Sequence, residues 1–181
     1  MGALLQLSRG IDAVTRFFGY HVRWLVLAAV LVSSVNAIIR KIFDSSSNAW
    51  LEMQALLFGA VFLLAAAYTL QKNAHVRIDV ISNRLTQAAR NWIDLFGHIF
   101  MLAPLCLLML WLSGPTALDA FLSGEGSTNA GGLTVWPSKM LIFFGFLLLL
   151  AQAISEVIKK IDAIASGSPD EVPQTHDEMQ P

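Results

Sequence analysis

A long apolar run at residues 50–70 is the feature that most constrains what this chain can fold into. About 21 residues, at a rise of about 1.5 Å each, cover the roughly 30 Å hydrocarbon layer of a bilayer. Trp50 and Tyr68 lie near the two ends of the run, where partly polar aromatic rings suit the lipid headgroup region. The run therefore predicts a helix that spans a membrane.

The composition also favours a membrane protein. The chain is 55% hydrophobic and 14% charged, whereas soluble domains have about 45–50% apolar and about 25% charged residues. The formal net charge of −1 gives no reason to expect a nucleic acid partner. Cys106 is the only cysteine, so the chain cannot form an internal disulfide, and its cysteine content does not indicate a redox compartment.

Three further apolar runs, at residues 22–39, 92–112 and 136–158, predict three more spans. The fold class is therefore predicted as an all-α integral membrane protein. Its four transmembrane helices lie in one membrane domain, which we place at residues 22–160.

The third span and the segment after it carry two local signals. Pro104 should loosen this helix near its middle, because it removes one backbone donor and crowds the carbonyl of Phe100. Residues 113–135 are rich in Gly, Ser and Thr and contain no Lys or Arg. We interpret them as an outer loop with a short helix around residues 117–122.

Two segments outside the spans have the apolar periodicity of amphipathic helices. In residues 1–21 the apolar side chains recur at steps of three and four, and we expect this helix to lie on the inner membrane surface or on a partner. Both a simple lead-in and a dedicated docking arm fit the pattern. The connector at residues 75–91 should lie flat at the inner interface. Residues 161–181 are polar and acidic, and are predicted to form a disordered cytoplasmic tail.

The basic residues indicate the orientation of the spans. Nine lie on the side of the two termini: Arg9, Arg16, Arg23, Lys72, Arg77, Arg84, Arg90, Lys159 and Lys160. Three lie on the other side: Arg40, Lys41 and Lys139. The excess of positive charge on cytoplasmic segments of membrane proteins places both termini in the cytoplasm. We expect a bacterial inner membrane protein.

A secondary transporter needs polar groups near the bilayer midplane to replace the hydration of its ion and substrate. The polar residues of these spans lie near the helix ends instead: Asn36, Glu52, Gln54, Asp94, His98, Lys139, Gln152 and Glu156. The chain has no nucleophile–base set and no phosphate-binding loop, and His75 has no second ligand at a metal-site spacing. We therefore predict no catalytic, metal, cofactor or substrate site, and expect a transport site on another protein.

Some of these polar residues allow two interpretations. Asp94 and His98 are four residues apart on one helical face and could form a proton relay or a hydrogen-bonded pair at the interface. Glu52 could pair with a cation on a partner helix or cap backbone donors at the start of its own helix.

Small residues predict close helix packing in two places. Ala29, Ser33 and Ala37 recur every four residues in the first span, and they could contact either another helix of this chain or another protein. Ala55 and Gly59 form a similar face on the second span.

Several motifs carry a resemblance to a known family. They are Trp50 and Glu52 at the start of the second span, Gly59 within it, the segment KNAHVRIDV at residues 72–80, NAGG at residues 129–132 and WPSK at residues 136–139. With these motifs, residues 10–160 resemble the small membrane subunit of the tripartite ATP-independent periplasmic (TRAP) transporters.

The resemblance implies a scaffold role. In that family a large membrane subunit holds the sodium and substrate sites, and a soluble periplasmic binding protein delivers organic anions to the outer face. The implied partner-facing residues of this chain are Trp50, Glu52, Ala55 and Gly59, and the small-residue stripe of the first span adds Ala29, Ser33 and Ala37. The expected contacts with inner-leaflet lipid are Lys72, His75, Arg77, Asp79, Arg84 and Arg90.

Two other function classes also fit the sequence. Four-helix membrane proteins can hold haem between facing histidines, and this chain has His21, His75, His98 and His176. A small exporter that works alone is the third hypothesis, although the missing midplane charges disfavour it.

Overall fold

The computed structural model describes residues 2–44, 47–72 and 86–166, and this part of the chain is all-helical. Its elements are α1 (Gly2–Phe43), α2 (Asn48–Gln71), α3 (Gln87–Gly97), a π-helical turn (His98–Leu102), α4 (Ala103–Ser123) and α5 (Trp136–Ser166). Four helical stretches are long and apolar enough to cross a membrane, the third being Ala89–Ser123, which joins most of α3 to α4. The predicted fold class is confirmed.

The bundle has two ends, which we name by what they carry. At the termini end α1 begins and α5 ends. At the loop end α1 is followed by α2, and residues 124–135 connect α4 to α5. α1, α2 and α5 pack against one another, and α4 packs along α5. The first, second and fourth spans thus form a three-helix core, and the third span is attached to one side of it.

α1 is one helix of 42 residues, about 60 Å long. It joins the predicted amphipathic segment, residues 1–21, to the predicted first span without a break. Its buried residues are spaced by seven: Ser8, Thr15, Val22, Ala29 and Asn36. A seven-residue repeat is typical of helices that pack in a left-handed supercoil.

The first half of α1 packs against other helices of this chain, which the sequence analysis did not predict. Residues 1–21 were expected to lie on the membrane surface or on a partner, but their polar seam packs inside this chain: Ser8 is 1% exposed and Thr15 is fully buried. Leu7 and Val14 point outward and are 55% and 50% exposed. The polar seam continues the heptad of the span, and this explains why the helix does not turn at the membrane surface.

Small residues allow close helix contacts in the core. A Cβ at Gly19 of α1 would overlap the ring of Tyr68 in α2, and a Cβ at Gly145 of α5 would lie 2.7 Å from Cβ of Leu63. Any larger residue at Gly19 or Gly145 would push the helices apart. Such contacts are the usual basis of helix association in membranes.

The third span contains the irregularity that Pro104 predicts. A π-helical turn lies directly before Pro104, and the N–H of Ala103 bonds to the carbonyl of His98, five residues back. The helix then continues to Ser123, so residues 113–123 are helical rather than part of a loop. Ala117 and Ala120 are buried along this extension, and packing holds the helix past Pro115.

Other boundaries also differ from the sequence predictions. α5 runs to Ser166, so the first six residues of the predicted tail are helical. α3 begins after Thr86, whose hydroxyl accepts a bond from the N–H of Ala89 at 3.3 Å. The rest of the tail, residues 167–181, and residues 73–85 of the predicted connector lie outside the described residues.

Candidate functional site

Glu52 organises a polar cluster at the loop end. Its Oε1 accepts hydrogen bonds from the hydroxyl of Ser127 and, at 2.8 Å, from Nδ2 of Asn129. Its Oε2 accepts a bond from the backbone N–H of Leu133 at 2.6 Å. We call these four residues the Glu52 clamp. Because one carboxylate bonds to three points of residues 124–135, it fixes that segment against the first turn of α2.

The backbone of the same segment folds back on itself. The N–H of Ser127 bonds to the carbonyl of Leu133 at 2.9 Å, and the N–H of Val135 bonds to the carbonyl of Glu125 at 2.9 Å. Gly131 has a φ of +69°, a left-handed value that favours glycine. Asn48, in the first turn of α2, donates a side-chain bond to the carbonyl of Ala130 at 3.0 Å. The segment is thus anchored to α2 at two residues.

Gly132 leaves room for the carboxylate. A Cβ at this position would lie 2.7 Å from Oε1 of Glu52 and 2.5 Å from Cβ of Ser127. Both the carboxylate and the serine would have to move. The glycine pair in the NAGG motif therefore has two separate functions: Gly131 makes the turn, and Gly132 admits the side chain of Glu52.

The Glu52 clamp contains no cation. All three donors to the carboxylate are neutral, and Lys139, the nearest base along α5, pairs with Glu125 at 2.5 Å. Hydrogen bonds to a charged acceptor are stronger than those between neutral groups. This arrangement is suited to holding a loop rather than to binding an ion.

A second cluster joins three helices at the termini end. Oδ1 of Asp12 accepts bonds from Nε2 of Gln152 at 2.9 Å and from Oγ of Ser155 at 2.8 Å. Its Oδ2 pairs with Nζ of Lys159 at 2.7 Å. Gln71, the last residue of α2, donates to the backbone carbonyl of Asp12 at 2.9 Å. Asp12 thus links α1 to both α2 and α5.

Two more residues complete this cluster. Oε1 of Glu156 accepts from Nε2 of Gln152 at 2.9 Å and pairs with Nζ of Lys159 at 2.8 Å. The hydroxyls of Ser8 and Ser155 are 2.7 Å apart and buried. We call the whole set the Asp12 network: Ser8, Asp12, Gln71, Gln152, Ser155, Glu156 and Lys159.

Asp94 pairs across helices at the same end. Its Oδ2 lies 3.3 Å from Nζ of Lys160, which also donates to Oδ1 of Asn91 at 3.4 Å. Sequence reasoning paired Asp94 with His98 and did not foresee this contact between α3 and α5. His98 itself begins the π-helical turn and is partly buried.

The predicted partner-facing residues do not form one surface. Glu52 bonds within its own chain, Gly59 is half-buried with Leu141 near it, and Ala55 is exposed. Trp50 is half-buried at the start of the helix. The outward face of α2 carries Ala55 together with three large side chains: Leu51, Phe58 and Phe62.

The small-residue stripe Ala29, Ser33 and Ala37 of α1 also has both buried and exposed members. Ala29 is 1% exposed, and its packing is within this chain. Ser33 is half-buried and Ala37 is exposed. The assignment of the exposed members to a partner surface stays a prediction.

Only two of the six predicted lipid contacts belong to the described residues. Lys72 is exposed at the end of α2 and Arg90 of α3 is partly buried. His75, Arg77, Asp79 and Arg84 lie outside the described residues. Among the described residues, no group of three or more His, Cys, Asp or Glu side chains could hold a metal ion.

The sequence analysis did not predict the residues that join α1 to α5 at the termini end. Ser8, Asp12 and Ser155 are not among the predicted site residues, although Ser8 and Thr15 begin the heptad of small and polar residues that becomes the buried seam. That spacing was the available signal.

Comparison with known proteins identifies a family for most of the chain. The family model described as "Tripartite ATP-independent periplasmic transporters, DctQ component" matches residues 29–163. No curated protein and no solved structure matches the chain.

Proposed function

This chain belongs to the family of DctQ components of the tripartite ATP-independent periplasmic transporters, and we propose that it is the small scaffold subunit that supports the large membrane subunit. Members of this family are components of a transporter. The four apolar helices make this chain a multi-pass membrane protein. The partners and the substrate are inferred from this membership.

One structural observation carries the scaffold role. The carboxylates of Glu52 and Asp12, at opposite ends of the core, bond to groups of this chain: neutral donors in one case, and Lys159 with its neighbours in the other. Carboxylates used in this way hold helices and loops in place. This supports a subunit that is itself rigid and leaves the sodium and substrate sites to the large subunit.

The proposal also includes the transported substrate and its delivery. From the resemblance, we infer sodium-driven uptake of an organic anion that a periplasmic binding protein delivers. The large subunit would form a stable complex with this chain, and the binding protein would contact the outer face transiently.

The outward face of α2 is the best candidate for the contact with the large subunit. Ala55 lies between Leu51 and Phe58, and all three side chains are exposed. A small residue between large ones lets a second helix approach closely.

Orientation follows the positive-inside bias. The termini end would face the cytoplasm, with Lys72 and Arg90 near anionic lipid headgroups of the inner leaflet. The loop end, with the Glu52 clamp, would face the periplasm of a bacterial cell.

Co-purification tests the scaffold role. The tagged chain, extracted gently from membranes that also hold the large subunit, should bring that subunit with it. Ala55→Trp should reduce its recovery by roughly tenfold, because an indole in a helix contact forces the helices apart. Leu147→Trp, at an exposed position of α5, is the control and should leave recovery unchanged.

Transport by the chain alone would contradict the proposal. Proteoliposomes that contain only this protein should show no sodium-dependent uptake of organic anions, and addition of the large subunit and the binding protein should restore it. If the tagged chain never recovers a large polytopic partner, the scaffold role is wrong.

A further inference from the structure

Three arginines of α1 form a line on its outward side. Arg9, Arg16 and Arg23 are spaced by seven residues and all three are exposed. Seven residues are almost two helical turns, so the side chains lie above one another at intervals of about 10 Å. We call these three residues the arginine column. It lies next to the heptad seam but points away from the core.

Within the described part of the chain, no acidic side chain forms an ion pair with the arginine column. Asp12 is the nearest acid along the helix, but its oxygens bond to Lys159, Gln152 and Ser155 of α5. Arg23 lies over the ring of Tyr20, with Cζ 3.6 Å from the ring centroid. Among residues 2–44, 47–72 and 86–166, no carboxylate forms an ion pair with Arg9 or Arg16.

The last turns of α5 lie beside the first turns of α1. Ser155 contacts Ser8, and further along α5 Ile158 and Ile161 line a small cavity with Leu4. The two helices therefore run in opposite directions here. Ser166, at the end of α5, lies 11 residues beyond Ser155, or about 16 Å along the axis. The chain thus leaves α5 near the start of α1.

The 15 residues that follow Ser166 have the opposite charge to the column. Residues 167–181 contain no Lys or Arg and have two acidic pairs, seven residues apart: Asp170 with Glu171, and Asp177 with Glu178. In extended form, five residues reach up to about 17 Å and twelve reach up to about 40 Å. With Ser8 level with Ser155, Arg9 and Arg16 lie about 18 Å and about 28 Å back along the helix from the level of Ser166. The second pair can therefore reach both arginines, and the first pair can reach Arg9 with the chain extended and the length of the side chains added.

We propose that the acidic tail, residues 167–181, docks along the arginine column of α1. Guanidinium groups bind carboxylates with paired hydrogen bonds. The covalent link also raises the local concentration of the tail to the millimolar range, so that weak exposed ion pairs suffice. Anionic lipid headgroups have the same chemistry and are the competing occupant of the column.

Distances between two spin labels test this docking in the full chain. The labels are attached at Ala13→Cys, an exposed position between Arg9 and Arg16, and at Gln174→Cys in the tail, with Cys106→Ala to remove the native thiol. The protein is measured in nanodiscs that contain anionic lipid. We expect a population of short distances that falls by roughly threefold or more when salt rises from about 0.1 M to about 1 M, because the Debye length shrinks from about 10 Å to about 3 Å.

Charge variants identify the groups involved. Arg9→Gln with Arg16→Gln should remove the short distances to the same extent as salt does. Arg40→Gln with Lys41→Gln removes the same charge at the other end of α1 and should have no effect. A second set, Asp170→Asn, Glu171→Gln, Asp177→Asn and Glu178→Gln, leaves α1 unchanged and should lower the population of short distances to the same extent, so that a defect in the helix cannot explain the result.

Three outcomes would overturn the proposal. The short distances could persist in the neutralised variants, they could be absent under every condition, or they could occur in zwitterionic nanodiscs and vanish in anionic ones. The last outcome would identify lipid headgroups as the occupant of the column.

Discussion

The two ends of the bundle use carboxylates in different ways. At the loop end, Glu52 accepts bonds from neutral donors that all come from residues 124–135. At the termini end, Asp12 shares Lys159 with Glu156 and links three helices. The Glu52 clamp therefore shapes one loop, whereas the Asp12 network connects the core. The comparison indicates that loss of Asp12 should affect the whole fold and loss of Glu52 should affect one segment.

Asp12→Asn should have the largest effect. The amide removes the charge that Lys159 faces, and its N–H₂ lies either beside Nζ of Lys159 or beside the two donors Gln152 and Ser155. Loss of a partly buried ion pair with its hydrogen bonds should cost about 2 kcal/mol of stability. Thermal unfolding in detergent micelles measures this loss. Asp119→Asn, on an exposed position of α4, is the control, and an equal loss in both variants would contradict the central role of the Asp12 network.

Glu52→Ala should loosen residues 124–135 and leave the bundle stable. The N–H of Leu133 loses its acceptor, so its hydrogen exchange should become roughly tenfold faster, while amides of α1 and α5 keep their rates. Hydrogen exchange followed by mass spectrometry reads both regions in one sample. Glu125→Gln, which removes only the pair with Lys139, serves as the control. Faster exchange throughout the core would mean that the two ends do not differ as we describe.

Gly132→Ala should produce a milder form of the same defect. The added Cβ would meet Oε1 of Glu52 at 2.7 Å, so the carboxylate must shift and its bond to Leu133 must lengthen. We expect exchange at Leu133 to rise by roughly threefold. Gly126→Ala, where a Cβ would meet nothing within 4 Å, should leave the rate unchanged. The same increase in both variants would point to a general effect of alanine on the loop backbone.

Lys139→Gln should have the smallest effect. Its pair with Glu125 is partly exposed, with 30% and 45% of the side chains accessible, and exposed pairs contribute about 0–1 kcal/mol, less at high salt. Thermal unfolding at about 0.1 M and about 1 M salt should show a small difference that salt removes. A loss as large as that of Asp12→Asn would mean that the loop end also supports the core.

The sequence determined the membrane class, the four spans and the loosening of the third span near Pro104. These follow from the length of the apolar runs and from a missing backbone donor, both of which are local properties. It also marked NAGG as a motif, and the structure gives the reason for its two glycines. The family followed from motifs, and the match over residues 29–163 confirms it.

Only the tertiary structure decided which side of each helix is buried and where each carboxylate finds its partners. In a membrane the outward surface is apolar, so Asn36 of the first span can face inward while its apolar neighbours Val35 and Ile38 face outward. Hydrophobic periodicity alone therefore leaves the direction of α1 ambiguous. The hydrogen bond between Glu52 and Leu133 joins residues 81 positions apart, and Asp12 and Gln152 are separated by 140 positions. Contacts over such separations depend on how the helices pack, which no local pattern encodes.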